Sequence, residues 1–154
     1  MVSLVENKKG LHNNEVLEKY TSGIVLSGPE VKSVKAGRIN LTGSYVDFII
    51  NQKTQKAEPW LLNCHISPYS KAGYSQKNYD PTRARKLLLN KKEISYLIGK
   101  ANEKGLTILP VSVYIKNNLI KMDIAVAKGM KKIDKRDKIK KRDFERRKQR
   151  MLKQ

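Results

Sequence analysis

The last 27 residues of the chain, 128–154, are too highly charged to form part of a hydrophobic core. They hold 14 Lys or Arg and 4 Asp or Glu, and their few apolar residues do not recur at spacings of three and four. A segment without an apolar stripe cannot bury enough surface to offset the entropy lost on ordering. We therefore expect a folded domain at residues 15–127 and a basic tail at 128–154 that is disordered when free.

The rest of the chain is also basic. The whole chain carries +19, and removing the tail's +10 leaves +9 on residues 1–127. Positive charge on both parts predicts a polyanionic partner, with nucleic acid first and an anionic membrane surface second. No apolar run approaches the ~18 residues that a membrane span needs, and the first residues lack the pattern of a secretory signal. One cysteine fits a reducing compartment, so we expect a cytoplasmic protein without a membrane segment.

Two regions before residue 40 have recognisable patterns. Residues 1–14 show no period and predict a mobile basic arm, whereas Glu15 to Leu26 suits a strand in which Gly23 marks a bulge or a close approach by another backbone. Ser27-Gly28-Pro29-Glu30 is typical of a helix start, and Gly37 predicts the end of a short helix.

The remaining elements indicate a small β-barrel. Residues 40–50 and 60–65 predict a hairpin with a polar loop at 51–59, and Leu87 to Leu89 predicts a buried strand. A longer helix follows the cap Asn90 and ends at Gly105, and a last hairpin turns at Asn117-Asn118. About six short, mostly antiparallel strands with one long and one short helix predict a mainly β, oligonucleotide-binding-like barrel.

The residues do not favour catalysis or a cofactor. Cys64 and His65 are adjacent on a predicted strand, so their side chains point to opposite faces, and the two histidines and one cysteine lack the spacing of a zinc site. We interpret Cys64 as a small core residue and His65 as a surface donor. No phosphate-binding loop, dinucleotide fingerprint or metalloprotease motif is present.

The sequence alone allows two interpretations for several polar side chains. Glu30 either stabilises the first turn of its helix or accepts a hydrogen bond from a base edge. Arg83, Arg85 and Lys86 either contact phosphate or keep a strand edge soluble. The loop tyrosines either stack on bases or pack on their own domain; they are Tyr69, Tyr74 and Tyr79.

Blocks along nearly the whole chain resemble the SsrA-binding protein (small protein B) family. The blocks occur in that family's order and spacing, and they read GIVLSGPEVKSVKAG, LLNCHISPY, DPTRARKLLL, KKEISYLIGKANEKGLTILPVSVY and AKG…DKR. The resemblance implies a six-stranded oligonucleotide-binding-like barrel with embedded helices. It also implies an adaptor that binds transfer-messenger RNA and helps it rescue ribosomes stalled without a stop codon, the process called trans-translation. We expect the protein to be a monomer and not an enzyme.

The resemblance also implies two sets of site residues. The face that holds the transfer-RNA-like end of the RNA would include Asn7, Lys8, Gly23, Glu30, Lys32, Ser33, Asn63 and His65. The tail residues that act in the ribosomal decoding centre and messenger channel, where the tail would be helical, would be Gly129, Lys131, Lys132, Asp134, Lys135 and Arg136.

The sequence departs from the family pattern at several places. Met130 and Ile133 replace a lysine and an aromatic residue in the tail motif, Gly43 replaces an aspartate, and Asn14 replaces a common tyrosine. Two other classes of function remain open on the residues alone. One is a general RNA- or DNA-coating protein without a defined target, and the other is an RNA-processing enzyme.

Overall fold

The computed structural model describes residues 2–71, 76–129 and 132–152, and these residues form nine strands and four helices. In chain order the elements are β1 (Val2–Glu6), α1 (Lys8–Asn13), β2 (Asn14–Ile24), α2 (Gly28–Lys35), β3 (Ile39–Asn40), β4 (Tyr45–Asn51), β5 (Lys56–Leu62), β6 (His65–Ile66), β7 (Arg85–Leu88), α3 (Lys91–Ala101), β8 (Leu106–Lys116), β9 (Leu119–Gly129) and α4 (Lys132–Leu152).

Six of these strands close into a barrel. Around the ring, β8 is followed by β4, β5, β7, β2 and β9, and β9 pairs again with β8. The strand pairings within the described residues are antiparallel. β1 adds to β8 outside the ring, and β3 and β6 form a separate two-stranded sheet. The predicted mainly β, six-stranded, oligonucleotide-binding-like barrel is confirmed.

The interior is filled by aliphatic side chains from every side of the ring. Alternation along β9 turns Met122, Ile124 and Val126 inward, and β8 contributes Ile108 and Val113 from the two sides of its register shift. Leu97 of α3 and Val34 of α2 add to the same core. Each fully buried aliphatic side chain contributes about 1.5–3 kcal/mol to the hydrophobic term. Among the barrel strands the buried members are Val46, Leu61, Leu87, Ile108, Val113, Met122, Ile124 and Val126.

The turns and caps follow the local sequence. Asn117 and Asn118 both adopt positive φ, 53° and 62°, which gives the β8–β9 hairpin the left-handed turn that was predicted. The Asn90 side chain accepts a hydrogen bond from the Glu93 backbone N–H at 2.9 Å and starts α3 as predicted. That helix ends at Ala101, earlier than predicted, with Asn102 as its cap, and the left-handed Gly105 (φ 82°) lies in the turn before β8.

Residues 1–14, predicted as a mobile basic arm without a period, contain regular secondary structure. Val2–Glu6 is a strand that pairs with β8, with Val2 opposite Ile115 and Glu6 opposite Ser112, and Lys8–Asn13 is a helix. The backbone hydrogen bonds come from a strand more than 100 residues away. Local periodicity therefore carries no signal for this element.

Two predicted strands have different bounds. The strand predicted at 40–50 is interrupted, since Ile39–Asn40 pairs with β6 whereas Tyr45–Asn51 pairs with β5. The strand predicted at 60–65 begins at Lys56, so the hairpin loop is shorter than the predicted 51–59. The Asn51 side chain accepts from the Lys53 backbone N–H at 2.9 Å, and Gln55 closes the turn at φ 58°.

The tail is helix α4. Its 21 residues span roughly 31 Å at 1.5 Å per residue. The prediction that this segment loses its helix when it is free stays a prediction. No helix among the described residues is long and apolar enough to cross a membrane. The same part of the chain has no cluster of three or more His, Cys, Asp or Glu side chains arranged to hold a metal ion.

Candidate nucleic-acid interface

The first turn of α2 directs an acidic side chain into the protein. Ser27 Oγ accepts a hydrogen bond from the Glu30 backbone N–H at 3.4 Å, and the Glu30 carboxylate accepts one from the Ser27 N–H at 3.0 Å. This reciprocal pair is a capping box, so the prediction that Glu30 stabilises the helix start is confirmed. The geometry leaves Glu30 with no exposed surface.

Two arginines bind this carboxylate: Arg85, the first residue of β7, and Arg83, two residues before the strand. Arg85 donates from Nε and Nη2 to Glu30 Oε2 at 2.9 and 2.7 Å. Arg83 donates from Nε to the same oxygen at 3.2 Å and from Nη2 to Oε1. Arg85 is fully buried, whereas 38% of the Arg83 side chain is exposed. The arrangement compensates one buried negative charge with two guanidinium groups.

Arg85 also ties together segments that are distant in sequence. It donates to the backbone carbonyl groups of Cys64 and Pro81 and, at 3.0 Å, to the Tyr79 hydroxyl. That hydroxyl lies 3.0 Å from both Glu30 Oε2 and the Ile66 carbonyl oxygen, either of which can accept its proton. We call Glu30, Tyr79, Arg83 and Arg85 the buried ion cluster. It joins α2, β6, β7 and the loop between the last two.

The environment keeps Glu30 ionised. Burial alone raises the pKa of a carboxyl group, and it is the largest single influence here. Hydrogen bonds from Arg83, from the Ser27 N–H and from Arg85 together outweigh it and lower the pKa of Glu30 from 4.5 to about 2. The charged form of Glu30 is therefore part of the folded structure at neutral pH.

These positions change the interpretation of the three basic residues at the start of β7. The prediction that Arg85 contacts phosphate or protects a strand edge was wrong, because its guanidinium is buried and β7 lies between β5 and β2. Lys86 is 40% exposed and pairs with Glu58 at 3.3 Å. A base contact by Glu30 stays a prediction, and it would require the carboxylate to leave both arginines.

Exposed basic side chains lie on α2 and just after its end. Lys32, Lys35 and Arg38 are all exposed. The Lys32 ammonium lies 5.4 Å from the centre of the half-buried Tyr69 ring, within the range of a cation–π interaction. A cation and an aromatic ring thus meet on the surface beside the helix that Glu30 anchors.

Asn7 has a structural role at the start of α1. Its side chain is 3% exposed, accepts from the Gly10 backbone N–H at 3.0 Å and donates to the Pro110 carbonyl at 2.8 Å. It thereby caps α1 and holds this helix on β8. Lys8, the first residue of α1, is exposed. An open cleft of about 710 Å³ beside it has a mostly basic lining of Glu6, Lys8, Lys9, Leu11, His12 and Arg142.

The other predicted face residues lie in several environments. Gly23 is in β2, where an added Cβ would lie 3.2 Å from the Cβ of Leu88, so the close approach is by that side chain. Asn63 and His65 are exposed, and Asn63 donates to the Gly43 carbonyl at 3.1 Å from a left-handed backbone conformation (φ 58°). Ser33 is fully buried on α2, and its Oγ has no hydrogen-bond partner among the described residues.

Cys64 occupies the core as interpreted from the sequence. It has no exposed surface, and burial is the main cause that raises the pKa of its thiol to about 11. A thiol with so high a pKa is almost entirely protonated at neutral pH and is a poor nucleophile. His65, the next residue, is exposed, so the predicted division between a core cysteine and a surface histidine is confirmed.

Sequence reasoning missed the function of Tyr79 in the buried ion cluster. Among the three loop tyrosines, Tyr79 packs on its own domain, Tyr69 pairs with Lys32, and Tyr74 lies outside the described residues. The available signal was the alternation of Arg83 and Arg85, which places both side chains on one face of an extended segment. A buried arginine such as Arg85 requires a carboxylate partner, but the pattern does not say which one.

The predicted tail residues begin at the end of the barrel. Gly129, the last residue of β9, pairs with Asn14 of β2. Lys132, Asp134, Lys135 and Arg136 belong to α4, and the Arg136 side chain is exposed, whereas Lys131 lies outside the described residues. The tail set and the buried ion cluster are thus on separate elements.

Comparison with known proteins gives a consistent result along the chain. The family model described as SmpB protein matches residues 4–154. The SsrA-binding protein of Dehalococcoides mccartyi (strain ATCC BAA-2266) is 45% identical over 152 residues, which cover 99% of this chain and 84% of that protein. The SsrA-binding protein of Sulfurihydrogenibium sp. (strain YO3AOP1) is 50% identical over 140 residues, covering 91% of this chain and 87% of that protein.

A solved structure supports the same assignment. A chain from the structure described as "tmRNA-SmpB: a journey to the center of the bacterial ribosome" superposes with a TM-score of 0.66 at 38% identity, and the match covers 88% of this chain and 93% of that one. Both the family model and the structural match cover most of the sequence. The chain therefore belongs to the SmpB protein family.

Proposed function

We propose that this protein binds the transfer-RNA-like domain of transfer-messenger RNA and delivers the RNA to stalled ribosomes in the cytoplasm for trans-translation. The observation that carries this proposal is the match of residues 4–154 to the SmpB family, supported by the likeness to a solved tmRNA-SmpB chain. A net charge of +19 suits a protein whose partners are RNA. No step in this function requires the protein to make or break a covalent bond.

The barrel supplies the rigid part of the RNA interface. A transfer-RNA-like elbow is compact RNA with unstacked loop bases, which a protein reads by shape and by a few base contacts. The exposed polar residues suited to direct contact are Lys8, Lys32, Asn63 and His65, and the half-buried Arg83 and Lys86 lie at the edge of this set. The buried or strand-interior residues Asn7, Gly23, Glu30, Ser33 and Arg85 support this face from within.

The tail supplies the ribosome contacts. Every α4 side chain whose exposure the structure describes is exposed, including Arg136, Arg142 and Phe144. A helix of high charge density gains many phosphate contacts on ribosomal RNA, which favours its insertion into the decoding centre and the empty messenger channel. Gly129 and the segment 131–136 stand at the junction and would be the first part of the tail to meet the decoding centre.

Deletion of residues 130–154 tests the division between barrel and tail. We expect the shortened chain to keep its affinity for the transfer-RNA-like domain and to lose peptide tagging on stalled ribosomes in a reconstituted translation system. The full chain with two tail arginines changed to lysine serves as a charge-matched control that keeps tagging. Loss of RNA binding in the shortened chain would contradict the assignment of RNA binding to the barrel and of ribosome contacts to the tail.

The alternative of a general RNA- or DNA-coating protein makes a different prediction. A coat binds unrelated RNAs with equal affinity, and a broad mixture of RNA copurifies with it from cells. The proposed adaptor instead copurifies with one dominant structured RNA and prefers the transfer-RNA-like domain over an unrelated RNA of equal length.

A further inference from the structure

We propose that the buried ion cluster is a positioning device for the RNA-binding face, in which Arg85 and Tyr79 act without touching RNA. The inference rests on the proposed function and adds residues that act through others. Arg85 has no exposed surface and donates hydrogen bonds to Glu30, Tyr79 and two backbone carbonyl groups. These partners belong to α2, to the chain just before β6 and to the loop that follows it.

The chemistry of arginine makes this arrangement geometrically strict. A guanidinium group is planar, and its donors point in fixed directions, so partners on several segments are held at defined distances and angles. Lysine at the same place would carry the same charge but would satisfy fewer of these acceptors at once. The Tyr79 hydroxyl completes the arrangement, because it lies between the carboxylate and the Ile66 carbonyl.

Stability alone is a weak reason for such a cluster. The cost of removing charges from water often equals or exceeds their mutual attraction, so apolar residues of similar size commonly do as well. A buried ion pair can nevertheless select one arrangement of the chain. Here it selects the placement of α2 relative to the loop before β7.

The cluster positions the exposed pair formed by Lys32 and Tyr69. Lys32 follows Glu30 by two positions on α2 and points outward onto the ring of Tyr69, which lies in the loop. The Ser67 N–H donates to the Arg38 carbonyl at 3.1 Å, a second link between the loop and the segment that follows α2. A shift of the loop would therefore separate the exposed cation and aromatic ring, which are the groups that bind phosphate and unstacked bases.

The test uses full-chain variants and a transcript of the transfer-RNA-like domain as the probe. We expect Arg85→Lys and Tyr79→Phe each to weaken binding by about 3- to 30-fold at temperatures where circular dichroism shows the variants folded. The slope of log affinity against log salt should stay unchanged, because the shift moves Tyr69 with the loop while Lys32 stays on α2 and keeps its phosphate contact. Lys32→Ala is the contrasting variant, because loss of one phosphate contact reduces that slope by about one.

The supporting structural readout is hydrogen exchange of the backbone at residues 67–71, which should accelerate in both cluster variants and not in Lys86→Ala. Tyr79→Phe removes one oxygen atom and keeps the inference testable if Arg85→Lys fails to fold. Unchanged affinity in folded Tyr79→Phe, or a loss of affinity with a shallower salt slope, would overturn the inference. The proposed function fails separately, if the unaltered protein does not prefer the transfer-RNA-like domain over an unrelated RNA of equal length.

Discussion

The buried ion cluster and helix α4 use the same kinds of side chain in opposite environments. In the cluster, Arg85 and Glu30 have no exposed surface and each forms several hydrogen bonds. In α4, the described charged side chains are exposed to solvent. The cluster is shielded from salt and fixes geometry, whereas the charges of α4 are screened by salt and provide attraction over distance.

This contrast separates two contributions to RNA binding. A buried charge that cannot reach a phosphate affects the specificity of RNA binding, because it controls the positions of the surface groups that contact RNA. An exposed charge on α4 acts on the salt-dependent part of affinity, because each neutralised phosphate releases counterions. The two kinds of charge should therefore respond differently to mutation, pH and salt.

The largest expected effect on stability is from Glu30→Ala. The change removes half of the capping box and leaves the Arg85 guanidinium buried without its carboxylate, so we expect a loss of about 3–5 kcal/mol in the free energy of unfolding. Chemical denaturation measures this loss. Glu145→Ala in α4 is the matched control and should stay within about 0.5 kcal/mol of the original protein. A loss below about 1 kcal/mol for Glu30→Ala would show that the cluster is not a structural unit.

Acid should affect the cluster next most strongly. The pKa of Glu30 is lowered from 4.5 to about 2 on folding, so its contribution to stability is fully present above pH 4.5 and is lost as the pH falls toward 2. The size of this contribution is on the order of 3 kcal/mol. Urea unfolding at a series of pH values measures it. Glu30→Gln should lack this component, and an unchanged pH profile in that variant would contradict the assignment.

Loss of the cap should have a smaller effect. Ser27→Ala removes the acceptor for the Glu30 backbone N–H and should cost about 1 kcal/mol in the free energy of unfolding. Ser95→Ala on the exposed face of α3 provides a control with the same chemical change. If both serine variants lose the same stability, the capping box does not fix the direction of α2.

Charge removal in α4 should leave stability unchanged. The double change Arg146→Gln and Arg147→Gln alters two exposed side chains, so we expect less than about 0.5 kcal/mol in unfolding free energy. The slope of log affinity for ribosomes against log salt should fall by about two. A salt titration with purified ribosomes measures the slope. An unchanged slope would mean that these two charges do not contact ribosomal phosphate.

The elements predicted well are those whose signals are local. The turn at Asn117-Asn118, the cap of α2 at Ser27 and the cap of α3 at Asn90 depend on side chains within a few residues of the backbone that they stabilise. Their hydrogen bonds can be read from spacing. The same holds for the alternating strands of the last hairpin.

The elements that escaped prediction depend on distant partners. β1 pairs with a strand more than 100 residues away, and Asn7 donates to Pro110 across a similar separation. The pair of Glu30 and Arg85 joins positions 55 residues apart. Resemblance to a family placed Glu30 on the RNA-binding face, but only the fold shows which residues hold its carboxylate inside the protein.

The most direct test of the division between barrel and tail is a specificity ratio. It compares the affinity for the transfer-RNA-like domain of transfer-messenger RNA with the affinity for an unrelated RNA of equal length, in the full chain and in a chain that ends at Gly129. The nine strands lie within the shorter chain, and circular dichroism would check its fold. We predict that the shorter chain has a ratio at least as high as that of the full chain. A ratio that falls to about one on loss of α4 would contradict the claim that the barrel carries specificity.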